Sequence, residues 1–160
     1  MVILLDLDGV LITTPAWRAV ETAADGFCKF NERATTNLAA ILAETKAAFV
    51  LTTSHRINYS VTQWEAIFKA RSLFPSAITK VNNRTTLPQA GSRASEIETW
   101  VMRQSATTNY VVVDDDLSLH TLPPAIKSRC VLTKPLVGLD TTATKQVLHI
   151  LRSNAFPTTL

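Results

Sequence analysis

Five short apolar runs alternate along this chain with longer segments of helical period, and that alternation restricts the fold more than any other feature. The runs are VILLDLD near the start, AAFVLTT (47–53), SAITKV (76–81), YVVVDDD (110–116) and RCVLT (129–133). Each is bounded by polar or turn residues, as strands are. Between them, residues 32–45 place Leu38, Ile41 and Leu42 on one helical face, and residues 58–71 place Val61, Trp64, Ile67 and Phe68 on another. Ile97, Trp100 and Val101 do the same in 92–104, as do Val147, Leu148, Ile150 and Leu151 in 141–152. Asn58 or Ser60, Ser92 and Asp140 are candidate N-caps. Strands alternating with helices predict an α/β fold with a central, mainly parallel five-stranded sheet covered on both faces. The strands are apolar throughout, which burial on both faces requires.

At 160 residues, one domain spanning 1–152 is expected, large enough to bury a core unaided by disulfides or structural metal. Cys28 and Cys130 have no CxxC spacing, which fits a reducing compartment and gives no zinc signature. Asp6 interrupts the first apolar run too early for a signal segment, and no stretch approaches a membrane span. A cytoplasmic protein without membrane contact is expected. From Ser153 the chain reads SNAFPTTL, without periodicity, so 153–160 is expected to be a disordered tail.

In parallel sheets the ligand site lies outside the carboxyl ends of the strands. Polar residues cluster there: Asp6 and Asp8 after the first run, Thr52, Thr53 and Ser54 after the second, Asp114, Asp115 and Asp116 after the fourth. Acids at a helix start, and hydroxyls before one, also serve as ordinary caps. Three adjacent carboxylates exceed what capping needs, and a cation would reconcile them with Asp6. The net charge is +3, but setting those five acids aside leaves 16 basic against 8 acidic side chains, a field that draws anions.

A strand followed by DLDGVL resembles the first motif of the haloacid dehalogenase (HAD) superfamily, mostly magnesium-dependent phosphohydrolases with a Rossmann-like three-layer sandwich fold. VLTTSHR (50–56) is similar to the second motif, RASEIETWV (93–101) stands in place of the third, and YVVVDDD is similar to the fourth. The resemblance implies Asp6 as the nucleophile that forms an aspartyl-phosphate and Asp8 as the general acid and base. It implies phosphate binding by Thr53 or, second, Thr52, with Ser54 beside them. It implies Mg2+ held by Asp6, by the backbone carbonyl of Asp8 and by the fourth motif, where Asp115 is preferred, Asp114 is its neighbour and Asp116 comes third. Arg93 takes the place of the usual third-motif Lys, and Lys80, at the end of the third run, competes with it. His55 is expected in a loop or packing role, and Arg56 either at a second phosphate or in a surface ion pair. Trp64 and Trp100 are expected in the core, and Trp17 near the mouth of the site.

Only residues 12–31 remain for a short flap, so no separate cap domain is expected. The details are similar to the HAD domain of Swiss-army-knife RNA repair proteins: FNERATTNLAAILAETKAAFVLTTSHR, the R-x-x-EI-x-x-W spacing at Arg93, Glu96, Ile97 and Trp100, and a late VGLD. That pattern usually has Trp where His55 stands. An open site implies a large substrate, either an RNA or DNA end, a nucleotide or a phosphoprotein, or else a partner that completes the pocket. A non-catalytic binding module is the alternative. A signalling receiver would need an acceptor Asp after the third strand, and SAITKV ends without one.

Overall fold

Every apolar run becomes a strand and every segment of helical period a helix. The computed structural model describes residues 1–87, 89 and 92–153. In chain order it contains β1 (Val2–Leu5), α1 (Glu32–Thr45), β2 (Ala48–Leu51), α2 (Val61–Lys69), β3 (Ile78–Lys80), α3 (Arg93–Met102), β4 (Tyr110–Asp114), α4 (Pro124–Lys127), β5 (Cys130–Leu132) and α5 (Thr141–Ser153). The short α4, started by Pro124 at its first turn, was not expected from periodicity. Nor were the 3-10 turns Ser54–Asn58 and Leu117–Thr121, which are too short to show a period.

The capping chemistry decides where helices begin. Ser60, not Asn58, caps α2: its hydroxyl accepts from the Gln63 N–H while the Gln63 side chain accepts from the Ser60 N–H. Asp140 Oδ1 accepts from the Ala143 N–H at 2.8 Å, as the sequence predicts. Ser92 makes no side-chain capping bond. The start of α3 is instead held by Ser118 Oγ, from the loop after β4, which accepts from the Ala94 N–H at 3.3 Å.

The strands lie in the order β3-β2-β1-β4-β5, and all four pairings are parallel. From β1 the chain steps outward to β3, then crosses back to β4 and β5. Right-handed crossovers in opposite directions put helices on opposite faces. Accordingly Ile3, Leu5 and Phe49 pack with Leu38 of α1, Phe68 of α2 and Val147 of α5. Leu4, Val50 and Val112 point the other way, toward Ile97 of α3 and Ile126 of α4. The result is the three-layer sandwich. Strand order reverses between β1 and β4, the point in such sheets at whose carboxyl ends ligands bind.

Described residues between β1 and α1 form turns and isolated bridges, those between β3 and α3 form bends, and neither stretch adds a helix or strand. The flap is tied down at one end. Phe27 sits edge-on to Phe30, Tyr59 and Trp64, at ring-centroid distances of 6.2, 5.4 and 5.4 Å. Such pairs contribute about 0.5–1.5 kcal/mol each beyond area burial. Arg71, just after α2, pairs with Asp25 at 2.6 Å and donates to the Cys28 carbonyl at 2.8 Å. Trp64 is fully buried and Trp100 packs on Tyr110, whereas Trp17 on the flap is 83% exposed.

Ser153, expected in the tail, belongs to the last turn of α5, its hydroxyl donating to the His149 carbonyl at 2.7 Å. The rest of that expected tail, 154–160, lies outside the described residues. Among the described residues no helix is long and apolar enough to cross a membrane.

Candidate active site

Two neighbouring strands deliver the carboxylates. β1 ends at Leu5 and hands Asp6 to the carboxyl end of the sheet, where its N–H donates to the Val113 carbonyl at 3.1 Å. β4 ends in Asp114 itself, fully buried. Asp6, Asp114 and Asp115 can each present an oxygen within 4.8 Å of the others. Asp116 is not part of that group. Its Oδ1 accepts from the Ser118 N–H at 2.8 Å, capping the 3-10 turn Leu117–Thr121, so the third place given to Asp116 falls to helix capping.

Arg93, the first residue of α3, projects into the carboxylates. It is ion-paired with Asp114, and its Nη1 lies 3.4 Å from Asp6 Oδ1. Lys80 is elsewhere: its ammonium donates to the Tyr59 carbonyl at 2.6 Å. The choice between the two cations follows from the fold, since the loop from Ser118 docks the start of α3 beside β4.

Burial sets the electrostatics. Asp6 is pushed up to about 6, by loss of solvent first, with the Arg93 charge pulling the other way. Asp114 is pushed up to about 7, by burial and then by the Asp6 charge. Asp115, half-buried, is raised by burial and by Asp114. Burial works against the Arg93 charge, yet Asp6 and Asp114 offset it and hold its pKa above the ordinary arginine value. Asp6 and Asp114 therefore share one guanidinium, with Asp115 beside them.

The hydroxyl groups divide. Thr52 Oγ1 donates to Asp114 Oδ2 at 3.5 Å, facing the acidic cluster. Thr53 Oγ1 accepts from the His55 N–H at 3.3 Å and caps the turn Ser54–Asn58. Ser54 opens that turn. Both threonines are fully buried.

Arg56 meets neither expectation. It is fully buried, away from any surface pair. One guanidinium nitrogen donates to the carbonyls of Thr52 and Thr53 at 3.0 Å, the other to Asn82 Oδ1 at 3.2 Å and Glu96 Oε1 at 2.9 Å. Glu96 stands one turn after Arg93 on α3, so Arg56 links the hydroxyl loop to the helix carrying the site's cation. Partners 40 residues apart leave no signal in sequence spacing.

Asp8 behaves unlike Asp6. Its side chain is 57% exposed, and His55 Nε2 lies 3.0 Å from its Oδ2. That contact raises the His55 pKa, against the effect of burial. His55 does pack, edge-on to Phe27 at 5.5 Å, but a loop or packing role alone does not describe it. Thr133 was also missed. Its hydroxyl donates to the Gly9 carbonyl at 2.7 Å, and it follows β5 directly, as Thr52 follows β2. Extending the strand-end search to the fifth run finds it. The late VGLD closes on the same loop: the Leu139 N–H donates to the Val10 carbonyl at 2.9 Å, and a Cβ at Gly138 (φ 74°) would lie 2.8 Å from Thr13 Cγ2.

No curated protein and no solved structure matches this chain. The family model described as the HAD domain in Swiss Army Knife RNA repair proteins matches residues 2–144, which spans all five strands, the acidic cluster and Arg93. With nearly the whole chain inside that match and the strand-end carboxylates in its frame, the protein belongs to this HAD family.

Proposed function

We propose that this chain is a Mg2+-dependent phosphohydrolase that works through an aspartyl-phosphate on Asp6. The observation carrying the reading is the convergence of Asp6, Asp114 and Asp115 beside Arg93. Three carboxylates and one guanidinium leave two negative charges, which a divalent cation balances, and oxygen donors alone suit Mg2+. Asp6, Asp115, Asp114 and the backbone carbonyl of Asp8 would hold the ion. When bound it supplies positive charge against the carboxylates and the phosphate.

The remaining chemistry falls to the chain's own groups. Asp6 attacks phosphorus as the bond to the leaving oxygen breaks and Asp8 gives that oxygen a proton. Water then attacks phosphorus, passes a proton back to Asp8, and Asp6 leaves as carboxylate with release of phosphate. Arg93 and Thr52 hold phosphoryl oxygens, with Thr53 and Ser54 alongside. The half-exposed Asp8, and described loops that carry no further helix or strand over it, favour a large substrate: an RNA or DNA end, or a nucleotide. The RNA-repair setting of the family and the excess of basic side chains support the same choice. A cytoplasmic setting goes with it.

Hydrolysis of p-nitrophenyl phosphate with and without Mg2+, beside Asp6→Asn, tests this. Turnover that needs Mg2+ and falls by at least about a thousandfold in the variant is expected. Undiminished turnover in Asp6→Asn removes the nucleophile. Phosphate release is then compared among nucleotides, 3′- and 5′-phosphorylated oligonucleotides and phosphopeptides at fixed salt. Preference for phosphopeptides makes the protein a phosphoprotein phosphatase. Binding without turnover makes it a binding module or one half of a partnered site.

A further inference from the structure

In the reading above Asp8 moves the proton, yet more than half of its side chain is in water. A carboxylate with two free torsions samples several rotamers, and proton transfer works from the one within hydrogen-bond reach of the leaving oxygen. Among the described residues one side chain is in hydrogen-bond or ion-pair contact with it, His55, at 3.0 Å. We propose that His55 is the positioning residue for Asp8, an assignment that rests on the phosphatase reading.

The imidazole is itself held. Its side chain is only 28% exposed, and its backbone N–H donates to Thr53 Oγ1. The next residue, Arg56, is locked to Thr52, Thr53 and Glu96. The ring stands perpendicular to Phe27, at 86°, and Phe27 is wedged among Phe30, Tyr59 and Trp64. Rigidity in the core is thus carried through the flap's Phe27 and one imidazole to an exposed carboxylate. The contact engages Oδ2 and leaves Oδ1 to carry the proton. It needs only an N–H on Nε2, which the neutral Nε2–H tautomer and the imidazolium both supply, so the role does not depend on the titration of His55.

Leaving groups separate this role from a structural one. Nitrophenolate departs without much help, whereas an alkoxide needs its proton as the P–O bond breaks. Loss of Asp8 function therefore shows more on an alkyl phosphate than on p-nitrophenyl phosphate. His55→Ala and Asp8→Asn are both expected to lose roughly tenfold or more in kcat on the alkyl ester beyond their loss on the aryl ester, with little change in KM. Adding His55→Ala to Asp8→Asn should cost nothing further. His55→Gln, which returns an N–H near Nε2, should recover part of the loss. An unchanged alkyl-to-aryl ratio in His55→Ala, or additive losses in the double variant, overturns the assignment. Turnover apart, an imidazole N–H resonance of His55 protected from exchange is expected in the unaltered protein and lost in Asp8→Ala; its persistence also overturns it. Failure of the phosphatase reading has separate signs: no turnover in the unaltered protein, or, for its aspartyl-phosphate step, turnover retained by Asp6→Asn.

Discussion

Gly9 and Asp115 are packed so closely that only hydrogen fits between them: a Cβ at residue 9 would overlap the Asp115 carboxylate and lie 2.9 Å from Asp115 Cβ. The backbone there has φ 75°, which side chains disfavour. Gly9→Ala should therefore cost about 1–3 kcal/mol in urea unfolding. It should also lower Mg2+-dependent phosphate release at least tenfold, roughly, because Asp115 must move. A variant as stable and active as the original would show that the close approach does not matter.

Arg56 and Glu96 form a buried ion pair in which Arg56 Nε and Glu96 Oε2 find no partner among the described residues. Removing Arg56 leaves the buried Glu96 without its ion-pair partner, with only the Asn82 side-chain N–H still donating to it at 3.3 Å. Arg56→Ala should destabilise the fold by about 3–5 kcal/mol, measured by urea unfolding. Its carbonyl contacts at Thr52 and Thr53 lie beside the site, so the variant should also raise KM for phosphate esters at temperatures where it stays folded. Full stability in Arg56→Ala would show that water replaces the guanidinium without penalty.

Acid should loosen the flap through Asp25. The Arg71 hydrogen bond holds the Asp25 carboxyl below its ordinary range. A depressed folded pKa means the stabilisation is complete above the unfolded Asp pKa of about 3.9 and is lost as pH falls through the lower folded value. Asp6, Asp114 and Asp115 are raised instead, so they favour the folded state as pH falls. The difference between the original protein and Asp25→Asn cancels those terms. The gap in Tm between the two should be largest near neutral pH and close as pH drops below the ordinary Asp range. A constant gap would place the role of Asp25 in packing.

Both cysteines should be sluggish toward thiol reagents. Burial, helped by the Asp114 charge, pushes the Cys130 thiol up to about 12, and burial raises Cys28 as well. For Cys130 the thiolate fraction falls by roughly three orders of magnitude from that of a free cysteine. Labelling with a disulfide reagent at pH near neutral should be slow in the folded protein and rapid in denaturant. Fast native labelling would indicate frequent local opening at β5.

The strand ends were legible because their signal is local. A buried parallel strand must be apolar along its length, so a carboxylate at its tip stands out in one dimension, as Asp6 and Asp114 do. The helix boundaries were nearly as clear, although Ser60 rather than Asn58 caps α2, because the reciprocal bond to Gln63 selects it. Asp116 could not be told from its neighbours by composition. A one-residue step along the chain changes a side chain's direction, and here it turns the third Asp back toward Ser118.

The order of residues along the chain was enough to give the alternation of strands and helices, the parallel sheet it implies, and the kinds of chemical group placed at the strand ends. Periodicity and residue chemistry are properties of short segments, and they survive without knowledge of the whole. It took the folded chain to show that Arg93, not Lys80, meets the carboxylates, that Arg56 joins β2's loop to α3, and that His55 touches Asp8. Those choices depend on how crossovers bring distant segments together at the point where strand order reverses, and no spacing along the chain encodes that distance.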